Sequence, residues 1–208
     1  MHEAYEVSHL LNLTVQIEAI AAYDGHLILG TRQGHLMMYS LSSNNGNQKY
    51  ELQLLQYCKG FSKKPIQQIE VIPEDNLLLC LTDNILTTHD IKGVNFPLMK
   101  TFSQTKGASL FSIDNKSQMS MTGESNSVVR LCVAVRRKLQ LYYGKNGEFK
   151  QHLFDFNIPD VPKVMAWVWD EPYLLGLMQD DNVVVQTVEP PLFVQTLPEL
   201  NKARLMYR

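Results

Sequence analysis

Two glycines, Gly30 and Gly34, bracket Arg32 in the stretch GTRQGHLMMY, with His35 directly behind them. Glycine-rich turns can cradle phosphate through their backbone amides, with a cation beside them to neutralise the charge. A P-loop, however, requires Gly-Lys followed by Ser or Thr and then a helix. Here His35 runs on into LMMYSL, a β-type segment. The glycines therefore read as a hairpin turn in which Gly34 supplies a positive φ, as Asn84 does further along.

Other groups that could do chemistry are scattered. The chain holds no G-x-S-x-G elbow, H-E-x-x-H pair, G-x-x-x-x-G-K loop or EF-hand ligand series. Its six histidines are His2, His9, His26, His35, His89 and His152, mostly at expected strand edges or turns. His26 and His35 fall where a hairpin could bring them together. Without a neighbouring Cys, Asp or Glu, that pair reads as hydrogen-bonded or exposed instead of metal-binding. The three cysteines, Cys58, Cys80 and Cys132, lack the spacing of a zinc site or redox dithiol, and their odd number closes no disulfide framework. Cys80 and Cys132 lie in apolar runs, where a reduced cysteine packs as a small hydrophobe. The acidic pairs Glu74-Asp75 and Asp180-Asp181 sit in PEDN and QDDN, which are turn contexts. No catalytic residue, metal ligand or cofactor site emerges.

Two basic clusters carry more weight. Lys63-Lys64 precede Pro65 and a strand, while Arg136-Arg137-Lys138 fall in a hairpin turn between LCVAV and LQLYY. Adjacent cations at a turn tip cannot neutralise one another. Lys63, Lys64, Arg136, Arg137 and Lys138 are accordingly the candidate partner-binding residues, suited to an acidic protein patch or to anionic lipid headgroups.

The 208 residues are 45% hydrophobic and 19% charged, which is the composition of a folded globular chain. A formal net charge of −2 supplies no overall basic field for nucleic acid, which is excluded as a partner class. The N-terminus MHEAYEVSHLLNL carries acidic residues where a signal peptide needs positive charge. No run approaches the roughly 20 apolar residues that span a bilayer. A cytoplasmic chain is expected, with any membrane association peripheral.

The elements that must position these residues are strands. Apolar runs rich in Val, Ile, Leu, Tyr and Phe alternate with Asn, Asp, Gly and Lys, and LILGTRQGHLMMY, LLLCLTDNILTTH, LCVAVRRKLQLYY and LLGLMQDDNVVVQ repeat one strand-turn-strand design. Two further strands flank each hairpin: VQIEAIAA and YELQLLQ in the first repeat, PIQQIEVI and PLMKTF in the second. The third has ASLFSID and FKQHLFDF, the fourth VPKVMAWV and LFVQTLP. The fold is therefore read as all-β, a propeller-like array of about four four-stranded antiparallel blades. Leu27–Leu29, Leu77–Leu79, Leu131–Val135 and Leu174–Leu177 should be equivalent central strands. The polar stretches SSNNGNQ and DNKSQMSMTGESNS read as connections between strands.

At FSKKPIQQI, KGASLF, LCVAVRRKLQLYY and IPDVPKVMAW the sequence resembles the citron-homology (CNH) domain. Together with the start MHEAYE, it resembles in particular the CNH domains that open subunits of the HOPS membrane-tethering complex. The resemblance covers nearly the whole chain and implies an incomplete CNH domain over 1–208. The family domain has about seven blades, and the segment after MAWV resembles a later blade, as though a portion were skipped at Val168-Trp169. On the same resemblance, the α-solenoid that normally follows is expected to be missing from these 208 residues. The resemblance further implies a non-enzymatic interaction module, with other tether subunits and a Rab-family GTPase as partners, at late endosomes, lysosomes or vacuoles. The alternatives are a CNH adaptor associated with transforming-growth-factor-β receptors and, more remotely, a propeller-fold hydrolase. The latter would need carboxylates or histidines at inner strands, where the repeats carry apolar residues.

Overall fold

A computed structural model of the chain describes residues 9–43, 50–119, 125–152, 155–167, 173–178 and 183–187. Its secondary structure is almost wholly β. The first sheet is the meander β1 (Ile17–Tyr23), β2 (His26–Thr31), β3 (Leu36–Ser43) and β4 (Tyr50–Cys58). The second repeats it with β5 (Ile66–Ile72), β6 (Leu77–Thr82), β7 (Ile85–Asp90) and β8 (Leu98–Phe102). A third runs β9 (Ala108–Met119), β10 (Ser125–Val135), β11 (Lys138–Lys145) and β12 (Glu148–Gln151), with β13 (Phe156–Asn157) also pairing with β11. The last is β14 (Pro162–Trp167), β15 (Tyr173–Met178) and β16 (Val183–Thr187). Each sheet is an up-and-down antiparallel meander, the arrangement of a propeller blade. The chain divides into two compact units, one reaching to Ala108 and including Lys145–Glu148, the other holding Ser109–Gly144 and the residues from Phe149 on.

The expected central strands are β2, β6, β10 and β15, each second in its sheet. In β6 and β10 the apolar runs follow from burial on both faces: Leu77 to Leu81 and Leu131 to Ala134 are at most 1% exposed. In the first unit Ile28, Leu36, Ile66, Ile69, Leu78, Cys80 and Phe96 form one core cluster. In the second, Cys132, Ala134, Leu139, Leu141, Ile158 and Met165 form another. The buried cysteines pack as expected, with burial pushing both thiols well above their ordinary pKa.

Turn chemistry sets the registers. Thr82 pairs with Ile85 across Asp83 and Asn84, at φ 50° and 58°, the two positive values of a type I′ hairpin. Val135 pairs with Lys138 across Arg136, at φ 56°, and Arg137. The β2–β3 connection is longer: the Gly34 amide donates to the Thr31 carbonyl at 3.1 Å, and Gly34 has φ +77°. This is a hairpin with glycine in the left-handed position, as the sequence suggested. Gly30 serves another purpose. A Cβ there would lie 2.7 Å from Ile66 Cγ2, so the missing side chain lets β2 approach β5 closely.

Some boundaries differ from expectation. Within the polar stretch after Ile113, Asp114–Met119 continue β9 and Ser125–Ser127 open β10. Antiparallel backbone pairing extends a hairpin whatever the polarity of its side chains. Likewise Ser42 and Ser43 end β3 instead of opening a connection. FKQHLFDF is two short strands, β12 and β13, laid along one edge of β11. The expected strand LFVQTLP lies outside the described residues.

Candidate interaction surfaces

The Lys63-Lys64 pair sits on the β4–β5 connection, which is fastened at several points. The Gly60 amide donates to His35 Nδ1 at 3.0 Å, and the Ser62 amide donates to the Gly34 carbonyl at 2.9 Å. A Cβ on Gly34 would fall 2.0 Å from the Ser62 carbonyl oxygen, so only glycine admits this docking. Phe61 anchors the connection inward, its ring centroid 4.6 Å from that of His89 and 6.4 Å from that of Phe96. With Phe61 and the backbone held, Lys63 and Lys64 remain exposed on a fixed tip.

The Arg136–Lys138 turn has a different electrostatic state from the one the sequence suggested. Arg137 Nε lies 3.9 Å from an Asp160 carboxylate oxygen, and Lys138 Nζ lies 3.8 Å from one of Asp155. The β13 segment brings these acids to the turn: Lys138 pairs with Asn157, and the Ile158 amide donates to the Arg137 carbonyl at 3.1 Å. Both ion pairs are solvent-exposed and worth about 0–1 kcal/mol each. Arg136 has no ion pair among the described residues. Lys63-Lys64 belong to the first unit and Arg136–Lys138 to the second.

Two buried polar groups escaped the sequence reading. Arg130 in β10 is 9% exposed. It donates from Nε to Asp114 at 2.9 Å, with a second, shorter contact from its terminal nitrogen to the same oxygen. Its guanidinium lies 5.0 Å from the Trp167 ring centroid, and Trp167 donates to the Ser112 carbonyl at 3.3 Å. A planar cation stacked on indole while bonded to carboxylate is a structural clamp between β9, β10 and β14. The only signal was a lone arginine inside the apolar run VVRLCVAV. His89, 8% exposed, donates from Nδ1 to the Phe96 carbonyl at 2.9 Å, and its Nε2 lies 2.9 Å from Thr87 Oγ1. Burial lowers its pKa, with the Phe96 hydrogen bond opposing.

His26 and His35 do not meet. His26 opens β2 opposite Ser40 and stacks on Tyr23, whereas His35 lies at the other end of that hairpin. Glu74 and Asp75 sit in a single 3-10 turn, Pro73–Asp75, without a side-chain cap. Asp75 accepts from the Gly147 amide at 3.0 Å instead. Asp180-Asp181 lie outside the described residues.

Comparison with known proteins agrees with this architecture. Among solved structures, the β-propeller domain of Myceliophteria thermophila Cps50 (Swd1) aligns with a TM-score of 0.52 at 18% identity, covering 83% of this chain and 54% of that one. The computationally designed Ika4 protein aligns with a TM-score of 0.57 at 13% identity, covering 90% of this chain and 100% of that one. At such identities the likeness concerns fold alone. By sequence, the chain is 41% identical over 170 residues to the vacuolar protein sorting-associated protein 39 homolog of Drosophila melanogaster. It is 42% identical over 179 residues to the Vam6/Vps39-like protein of Homo sapiens. These alignments take in 81% and 80% of this chain but 19% of each relative, so the chain spans about a fifth of their length. The CNH domain family matches residues 23–201. Repeated antiparallel meanders, the doubly buried strands β6 and β10 and a family match over most of the sequence lead to one conclusion: the chain belongs to the CNH domain family.

Proposed function

We propose that the chain is a non-catalytic protein-interaction module of a HOPS-type membrane-tethering complex, serving sorting towards the vacuole or lysosome. The observation that carries this is the identity of 41% with a vacuolar protein sorting-associated protein 39 homolog and of 42% with a Vam6/Vps39-like protein. The apolar filling of the second strands supports a scaffold: Leu77–Leu81 and Leu131–Ala134 occupy interior positions where a propeller enzyme would place convergent polar groups. No helix among the described residues is long and apolar enough to cross a membrane. The chain acts peripherally at late endosomes and lysosomes, with other tether subunits and a Rab-family GTPase as its partners. Lys63, Lys64, Arg136, Arg137 and Lys138 are its contact residues, meeting negatively charged surfaces. They stand at or beside turns, exposed, where cations steer association with little influence on folding.

The test is affinity capture of this chain beside a full-length relative, with captured proteins identified by mass spectrometry. Tether subunits and a small GTPase should appear with both. Arg136→Ala, Arg137→Ala, Lys138→Ala together should weaken capture and its salt dependence. Capture by the full-length relative alone would overturn the reading for this chain.

A further inference from the structure

We infer that one end of the first unit, carrying Arg32, Lys59, Lys63, Lys64 and Lys106, is a docking face for an anionic membrane surface. The inference rests on the reading of the basic residues as contact residues and names what the first-unit set contacts. Hydrogen bonds gather the relevant loops at that end. Ser62 on the β4–β5 connection bonds Gly34 on the β2–β3 turn. Asn84 on the β6–β7 turn accepts from the Gly107 and Ala108 amides after β8, while its own amide donates to Gln67 near the start of β5. All five cations are exposed. Arg32 is engaged by Gln16 at 3.0 Å and loosely by Glu18 at 4.0 Å. None of the four lysines has an ion pair among the described residues.

The charge is polarised along the unit. Against those five cations the same end carries, among the described residues, the acids Glu18 and Asp83. Among the described residues the opposite end carries Asp24, Glu51, Glu74, Asp75, Asp90 and Glu148 against Lys92 and Lys145; Asn76 is joined there to Ile91, and Asp75 to Gly147. A unit with such a dipole turns its basic end to a negative surface and its acidic end away.

The chemistry of the basic end favours lipid over protein. Its unpaired cations are all lysines, which are flexible, strongly hydrated point charges suited to a diffuse field, not the planar forks that grip a carboxylate. Lysine is also depleted from protein interfaces, whereas lysine clusters are the usual means of reaching acidic lipid. At the same end Ile17 is 42% and Tyr57 46% exposed, apolar and amphipathic groups fit for the headgroup boundary.

The test uses the full chain with phosphatidylcholine vesicles, with and without phosphatidylserine, in a sedimentation assay at low and physiological salt. The wild type should bind only the vesicles with phosphatidylserine and should release as salt rises. Lys59→Gln, Lys63→Gln, Lys64→Gln together should weaken binding about a hundredfold, at about fivefold per lysine. Glu74→Gln at the opposite end should leave binding unchanged, and an unaltered circular dichroism melt shows that the triple variant folds. Equal binding to both vesicle types, no binding, or full binding by the triple variant would overturn the inference. So would retention on an immobilised acidic polypeptide without vesicle binding. Capture of tether subunits by the triple variant separates the two readings: lost vesicle binding with retained capture supports the lipid face, and failed vesicle binding by wild type with retained capture sinks this inference alone.

Discussion

Strands β4 and β6 are both rich in large apolar residues, YELQLLQYC and LLLCLT, yet they meet solvent in opposite ways. Leu77 to Leu81 are at most 1% exposed, whereas Tyr50, Leu54, Leu55 and Tyr57 are 50%, 49%, 45% and 46% exposed. The difference comes from lateral position. β6 is hydrogen-bonded on both edges, to β5 and β7, while β4 ends its sheet with β3 alone beside it. A register shift opposite Met38 and Tyr39 pairs them with Gln56 and Leu54 and leaves Leu55 as the extra residue of a bulge. Bulges bend an edge strand and spoil it as a template for further pairing. Apolar composition thus identified both segments as strands, and their order across the sheet decided which of them became core.

The most damaging way to probe that contrast is to place a charge in each strand. Leu79→Asp would bury an unpaired carboxylate at a position 0% exposed, and should cost more than about 4 kcal/mol or abolish folding, read as soluble yield and urea midpoint. Truncation is gentler: Leu78→Ala should cost about 2–5 kcal/mol through the lost contacts and the cavity left behind. Similar losses from Leu54→Asp and Leu79→Asp would break the comparison, because they would show β4 covered in solution.

Gly34→Ala sharpens it from the turn between β2 and β3. The added methyl meets both a positive φ and the Ser62 carbonyl, so a loss of at least about 1–2 kcal/mol is expected by thermal denaturation. A smaller loss would mean that the β4–β5 connection shifts freely.

His89, on β7 beside β6, supplies a pH test of the same buried flank. Burial holds its folded pKa below the ordinary 6.5, so over the interval beneath 6.5 the unfolded chain binds more protons than the folded one. Its contribution is complete above the unfolded pKa and declines as pH falls towards the folded one. Denaturation series from neutral pH down to about 5 should show that decline, flattened in His89→Gln. An unflattened profile would assign the dependence to other groups. The smallest effect is expected back on the edge: Leu54→Asp should change stability by no more than about 0.5 kcal/mol.

Local chemistry alone was enough for much of this molecule. Alternation of apolar runs with Asn, Asp and Gly marked most strands, β5 to β8 among them, because short-range turn preference and strand propensity act within a few residues. Gly34 and Asn84 announced their left-handed turns for the same reason, and Leu77–Leu79 announced a doubly buried strand. Tertiary structure decided what depends on distant partners. Asp155 and Asp160 reached Arg137 and Lys138 only through the pairing of β13 with β11, and Asp114 reached Arg130 only through the pairing of β9 with β10. Arg32, Lys59 and Lys106, far apart in the chain, came to share an end with Lys63 and Lys64 because successive antiparallel strands return alternate turns to the same side. Charge neutralisation and charge clustering are properties of space, and sequence order carries them only after the sheets have been assembled.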